Sequence, residues 1–151
     1  MGQFFIGVEQ VQAVKEERGD VAGYCVYHID RGHTEWMTAA AFEARYIPMG
    51  LKGFRVSAAE NDSGPIYNEN TVTQQMVDGF IKTASVRTEG KTTIVLAELA
   101  NGFEIVEASS CVDPSNYDEA VGRDICSDRI KNKVWHLLGF VLQWARRGCK
   151  S

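Results

Sequence analysis

The chain has 151 residues, 44% of them hydrophobic and 24% charged, with a formal net charge of −4. This is the balance of a soluble globular protein, long enough for one ordinary domain or two very small ones, and it contains no repeat or low-complexity tract. The charge is uneven: residues 123–151 carry seven cations against Asp124 and Asp128, a balance of +5 that leaves −9 for residues 1–122. An acidic body of that kind repels long duplex nucleic acid.

A basic final helix on an acidic body suits a small anion. It equally suits a solvated helix whose cations offset its C-terminal dipole. No run approaches 18 apolar residues, so no membrane-spanning helix is expected. Met1 to Ile6 lacks the basic start and apolar length of a secretory leader. Cys25, Cys111, Cys126 and Cys149 form no CxxC pair, which excludes a zinc ribbon or thioredoxin-type motif and fits reduced thiols in a cytoplasm.

In chain order, Val8–Val14 reads as a first strand and residues 15–22 as a charged loop broken at Gly19-Asp20. Tyr24 to Ile29 is a strand rich in aromatic and β-branched residues. Asp30-Arg31-Gly32-His33 is a turn, and Thr34-Glu35-Trp36 returns as its partner. Thr38 caps an alanine-rich helix through Arg45, ended by Tyr46-Ile47-Pro48 because the residue before proline avoids the helical region. Residues 51–70 read as a connector, with the module boundary at the turn cluster Asn61-Asp62-Ser63-Gly64-Pro65.

Thr73 caps a second helix with Met76, Val77, Phe80, Ile81 and Ala84 at helical spacing. Thr92–Leu99 and Phe103–Ala108 alternate as a hairpin around Asn101-Gly102, two residues that tolerate the positive φ of a tight primed turn. The last helix is expected to start at Ser115 or Asn116 and to run to about Arg147, roughly 45 Å at 1.5 Å per residue. Its apolar stripe runs through Tyr117, Val121, Ile125, Ile130, Val134, Leu137, Leu138, Val141 and Leu142. Each half alone is marginal in size, and this helix outreaches a small sheet, so a second copy of the chain is its expected cover. Gly139 suits close helix contact or a slight bend.

The expected fold class is therefore α+β: a small N-terminal αβ module (1–50), a connector (51–70) and a helix–hairpin–long-helix domain (71–151), oligomeric through the final helix. Catalysis finds no support. GxGxxG, P-loop and GxSxG patterns are absent. His28, Asp30, His33 and Glu35 cluster at a hairpin, but a solvated turn is preferred to a metal site. Cys111 near Asp113 and His136 reads as an ordinary half-buried cysteine rather than a nucleophile. Asp113 and Asp118 read as turn and helix-start residues rather than an acid/base pair.

Phe103, after the hairpin glycine, is either a core residue or an aromatic platform for a nucleobase. In the second case Arg123 and Arg129 hold phosphate, and Asp113 or Asn116 bonds ribose or base. No cofactor is expected.

Residues 70–147 resemble a family of small tailed-phage proteins. The carriers are Val72-Thr73, Thr93–Leu99, Asn101-Gly102-Phe103, Cys111-Val112-Asp113-Pro114, Asn116-Tyr117-Asp118, Gly122 and Trp135-His136-Leu137-Leu138-Gly139. The N-terminal half, through Gly23-Tyr24, Val26-Tyr27, Trp36, Phe42-Glu43 and Tyr46-Ile47-Pro48, looks like a separate small phage module often fused to others. The hairpin-plus-long-helix layout is similar to the Thoeris anti-defence signal sponges of phages. Those proteins assemble through their helices and sequester cyclic ADP-ribose isomers; some also hold CBASS cyclic oligonucleotides.

That resemblance implies a non-enzymatic counter-defence protein in the host cytoplasm, binding a small nucleotide signal without cleaving it. The alternative expectation is a phage accessory protein that binds a host protein through the acidic N-terminal module, its helix serving only oligomerisation.

Overall fold

In the computed structural model the described residues are 3, 4, 6–49, 51–54, 65–67 and 71–149. The fold is α+β, with two three-stranded antiparallel sheets, short helices and one long C-terminal helix. The chain divides into two units, residues 1–49 with 139–151 and residues 50–138. No helix among the described residues is long and apolar enough to cross a membrane.

The first unit is a meander of β1 (Val11–Arg18), β2 (Val21–His28) and β3 (His33–Thr38), followed by α1 (Ala39–Glu43). The Thr38 hydroxyl accepts the Ala41 N–H at 3.3 Å and starts α1, as the sequence predicts. β1 differs from expectation: it starts at Val11 and takes in Lys15, Glu16, Glu17 and Arg18, which read as loop. These charges belong to a sheet edge, where side chains reach water and charge discourages pairing with another chain. Val26 is fully buried. Tyr24 stacks on Phe42, and Phe42 contacts Tyr46, so α1 closes over the sheet through aromatic rings.

In the second unit β4 (Leu51–Phe54) pairs with β5 (Pro65–Tyr67) inside the stretch read as connector. The turn residues Asn61 to Gly64 lie outside the described residues. Thr73 caps α2 (Gln74–Phe80) by accepting the Met76 N–H. α2 stops at Phe80 rather than near Ala84, and Ile81–Glu89 forms β6, a strand absent from the sequence reading. β6, β7 (Thr92–Leu99) and β8 (Glu104–Ser110) then make an antiparallel meander, so the expected hairpin is part of a three-stranded sheet. β6 is held by its pairing to β7 and is exposed from Lys82 to Glu89. It therefore lacks the apolar alternation that marks a strand in sequence.

α3 (Glu119–Arg147) starts three or four residues later than expected, after a 3-10 turn at Pro114–Asn116. Its cap is Asp118, whose carboxylate accepts the Ala120 and Val121 N–H groups at 2.8 and 3.3 Å. Its buried line is Gly122, Cys126, Ile130, Val134 and Leu138, a strict four-residue step. Val121, Ile125, Leu137 and Val141 of the expected stripe are exposed. Reading only large aliphatics misplaces the inner face, because the first two inward positions are small. A Cβ on Gly122 would collide with the Thr93 side chain, which is fully buried. On β7 the alternate residues Thr93, Val95, Ala97 and Leu99 are all buried, so the core of this unit lies between that face and α3.

Gly122→Ala and Gly139→Ala are expected to have opposite signs. At Gly122 about 1–3 kcal/mol of overpacking outweighs the gain of about 1 kcal/mol in helix propensity. At Gly139 no atom lies within 4 Å of an added Cβ, so only the gain remains. Urea-unfolding midpoints of the two variants check this.

Candidate functional site

The chain turns sharply between β8 and α3, and side chains fix that elbow at several points. Thr92 and Ser110 hydroxyls bond at 2.7 Å where the strands end. The Cys111 N–H donates to the Lys91 carbonyl at 3.3 Å, and Lys91 Nζ donates to the Val112 carbonyl at 2.9 Å. The Asp113 carboxylate accepts the Ser115 N–H at 2.9 Å and the Ser115 hydroxyl at 2.8 Å, starting the 3-10 turn. Those two donors hold the Asp113 carboxyl below its usual range. The Tyr117 hydroxyl bonds Thr93 at 2.9 Å and Thr88 at 2.8 Å, and the Thr88 hydroxyl also donates to Glu119. Thr93 is the buried polar residue of this core, and Tyr117 satisfies it.

The other end of β8 is a three-residue loop rather than the expected two-residue primed turn. Gly102 N–H donates to Leu99 O at 2.9 Å and Leu99 N–H to Phe103 O at 2.8 Å. Gly102 alone takes a positive φ, 82°, while Asn101 keeps a negative φ and accepts the Phe103 N–H on its side-chain oxygen at 3.1 Å. The Ala100 N–H donates to the last carbonyl of α2, at Phe80, which fastens the loop. Phe103 is 55% exposed on this support. It stands outside the core, a placement that strand alternation could not give.

Asp113 and Asn116 share the elbow, with the Asn116 N–H donating to the Asp113 carbonyl at 3.0 Å. Arg123 follows on α3, about half exposed and 3.6 Å from Asp124. Arg129 donates through Nη1 to the Ala108 carbonyl at 3.0 Å and so covers part of the β8 edge. Phe103 is separated from the elbow by the length of β8, seven residues and about 20 Å at strand rise. One copy thus brings Asp113 and Asn116 together and holds the Phe103 ring apart from them. Of the residues that hold the elbow, Lys91 and Thr88 carry no signal in the sequence, and Thr93 and Tyr117 read there as strand and stripe residues rather than as hydrogen-bond partners. The clue available was Tyr117 between Asn116 and Asp118, which reads as the start of an apolar stripe.

Cys111 is half-buried, with Sγ donating to the Asp113 carbonyl at 3.1 Å. Cys126 is buried, and burial pushes its thiol up.

A second cluster lies in the first unit: Asp30, His33 and Glu35 are exposed, as a solvated turn requires, while His28 is buried. The His28 side chain is 4% exposed. Its Nδ1 lies 2.8 Å from Glu9 Oε2 and its Nε2 lies 2.8 Å from Glu35 Oε1. The His33 ring stacks on it with centroids 4.4 Å apart, and the Tyr46 hydroxyl donates to the other Glu9 oxygen at 2.8 Å. Among the described residues no group of three or more His, Cys, Asp or Glu is arranged to hold a metal ion.

Phe103→Ala is expected to change stability by no more than about 0.5 kcal/mol, since the ring is outside the core. Tyr117→Phe leaves the buried Thr93 hydroxyl without that partner and is expected to cost about 1–3 kcal/mol. Thermal unfolding of both variants separates the exposed ring from the structural hydroxyl.

No match was found among curated proteins or among solved structures. Residues 69–145, just over half of the chain, match the profile of a phage protein family. The segment spans α2, the second sheet, the elbow and nearly all of α3, the elements that position both ends of β8. The chain belongs to the phage protein (N4 Gp49/phage Sf6 gene 66) family.

Proposed function

We propose that this phage protein is a counter-defence protein that binds and hides a nucleotide immune signal, a cyclic ADP-ribose isomer or a cyclic oligonucleotide, in the host cytoplasm without cleaving it. The observation that carries the reading is Phe103, a large ring held in water on a fastened glycine loop. Base–aromatic stacking is worth about 1–3 kcal/mol per base, and an exposed ring on a fixed backbone is ready for it. Arg123 supplies a guanidinium for phosphate, and Asp113 and Asn116 supply polar groups for ribose or base. Arg129 spends an Nη1 N–H on the Ala108 carbonyl and keeps its other N–H groups for phosphate.

Because β8 separates the ring from the polar groups, the ligand in this reading lies between two copies. Phe103 comes from one copy, and Asp113, Asn116 and Arg123 come from the next, with the copies joined through α3. Sequestration needs affinity alone, so it asks for no acid, base or nucleophile. The layout read from the sequence resembles that of Thoeris anti-defence sponges, and membership of a phage family fits a phage accessory role of this kind.

One observation favours a second reading. α3 exposes Leu137, Phe140 and Val141 on neighbouring turns, an apolar surface that serves oligomerisation equally well when the acidic N-terminal module binds a host protein.

The test is incubation with cyclic ADP-ribose isomers and cyclic oligonucleotides, removal of free ligand, heat release and chromatography. Intact ligand is the expected product. Altered ligand means an enzyme, and no retention favours the host-protein binder. Phe103→Ala and Arg123→Ala are each expected to weaken retention about tenfold or more, the equivalent of about 1.4 kcal/mol.

A further inference from the structure

The first unit buries a charged group that the nucleotide reading does not use. His28 sits on β2 with a carboxylate on each ring nitrogen, Glu9 from the segment before β1 and Glu35 from β3. A neutral imidazole has one N–H, so it can donate to only one of them. At 2.8 Å the other contact would set a nitrogen lone pair against a carboxylate oxygen. The geometry is satisfied only when both nitrogens carry protons.

We propose that the Glu9–His28–Glu35 bridge is a proton-controlled clasp that fastens the tip of the β2–β3 hairpin, closed while the imidazole holds both protons and opened when it gives one up.

The two carboxylates are not equivalent, and this decides which contact opens. The Glu9 side chain is 22% exposed, and its second oxygen accepts the Tyr46 hydroxyl from the segment after α1. The Glu35 side chain is 45% exposed and has water within reach. The proton therefore leaves Nε2, Nδ1–H stays on Glu9, and Glu35 turns outward. The tip, residues 29–35, then keeps the Arg31 and Gly32 N–H bonds to the His28 carbonyl, at 3.2 and 2.8 Å, and the stacked His33 ring, but loses its ionic tie.

The other titratable or charged groups facing the cluster are His33, whose ring stacks on His28, Arg31 of the turn, which favours ionised Glu9, and Arg45, whose guanidinium lies 5.7 Å from the Tyr46 ring centre. Val11 of β1, opposite His28 in register, brings no charge.

The hydrogen bond that His28 donates to Glu9, and then the one it donates to Glu35, raises the His28 pKa above its ordinary 6.5 against the opposing effect of burial. The contribution of the clasp to stability is therefore complete below about pH 6.5 and is lost as pH rises through the raised folded-state value. At the acid end, the His28 hydrogen bond lowers the Glu9 pKa below 4.5, so the Glu9 contribution is lost as pH falls through that lowered value. The clasp is closed between these limits.

The experiment is long-range 1H–15N NMR of the full chain with 15N-labelled histidine, from pH 5 to 9.5, with amide exchange followed at residues 29–35. His28 is expected to be protonated on both nitrogens beyond the midpoint of free histidine, then to retain the proton on Nδ1. Exchange at 29–35 is expected to speed up through the same midpoint. Glu35→Gln is expected to lower that midpoint. A His28 midpoint at or below that of free histidine overturns the proposal. So does a midpoint that Glu35→Gln leaves unmoved, or exchange at 29–35 that does not follow the titration. In His28→Gln the thermal midpoint is expected to lose its slope between pH 6 and 9. If that variant does not fold, the Glu35→Gln titration decides alone.

Discussion

The second unit depends on the close approach of α3 to β7 at Gly122 and Thr93. A side chain at position 122 would hold the helix off the sheet, and the absence of one lets the backbone come down onto a β-branched threonine. Thr93 brings a hydroxyl into the core with it, and Tyr117 satisfies that hydroxyl from the elbow just before the helix. Cys126 continues the contact one turn on, its thiol 3.8 Å from the Thr93 carbonyl. From there two repeats are commensurate. Four helical residues advance about 6 Å and two strand residues about 6.7 Å. A buried line of strict four-residue step along α3 therefore keeps pace with the alternate buried residues of β7, from Thr93 to Leu99.

This constraint also disposes the candidate binding groups. Because Tyr117, Thr88 and Thr93 fix the elbow, Asp113 and Asn116 stay at one end of β8. Because α2 and Asn101 fasten the loop, Phe103 stays at the other. β8 acts as a spacer whose length no side-chain rotation can close. Its outer edge would invite pairing with another strand, and Arg129 covers the Ala108 carbonyl there. The Lys133–Glu107 ion pair fixes the helix to the same strand one turn later. Two of the seven cations of the basic C-terminal segment thus hold β8.

The sequence disclosed what local chemistry decides and concealed what pairing decides. Asn101-Gly102 marks a hairpin and Thr38 and Thr73 mark helix starts, because each acts on its own neighbours. The elbow misled, since Ser115, Asn116 and Asp118 are all plausible caps and only the 3-10 turn begun by Asp113 decides among them. β6 stayed hidden because it exists through its partner rather than through a buried face. The helix stripe was misread for a geometric reason. A four-residue step advances 400°, so the buried line winds about 40° per step. It crosses Gly122 and Cys126 before it reaches the large aliphatics. The His28 clasp was out of reach because Glu9 and Tyr46 lie 19 residues before and 18 residues after it in the sequence.

The two units achieve a defined structure by different means. Among the described residues the buried apolar side chains from Val72 to Leu138 belong to the second unit, while the first has Val26 and, at its C-terminal end, Ala145. So little buried apolar surface leaves a small meander marginal. Directional contacts fill the role instead: Gly23 lies under the Trp36 ring, Phe42 stacks on Tyr24, and His28 is gripped from both sides. Removing a carboxylate from the buried His28 leaves its imidazolium short of a counter-charge, so such a set specifies one arrangement strongly even where it adds little net stability. Apolar burial in the second unit carries no protons and is indifferent to them. The first unit, closed by an imidazolium between two carboxylates, ties its arrangement to the proton concentration around it.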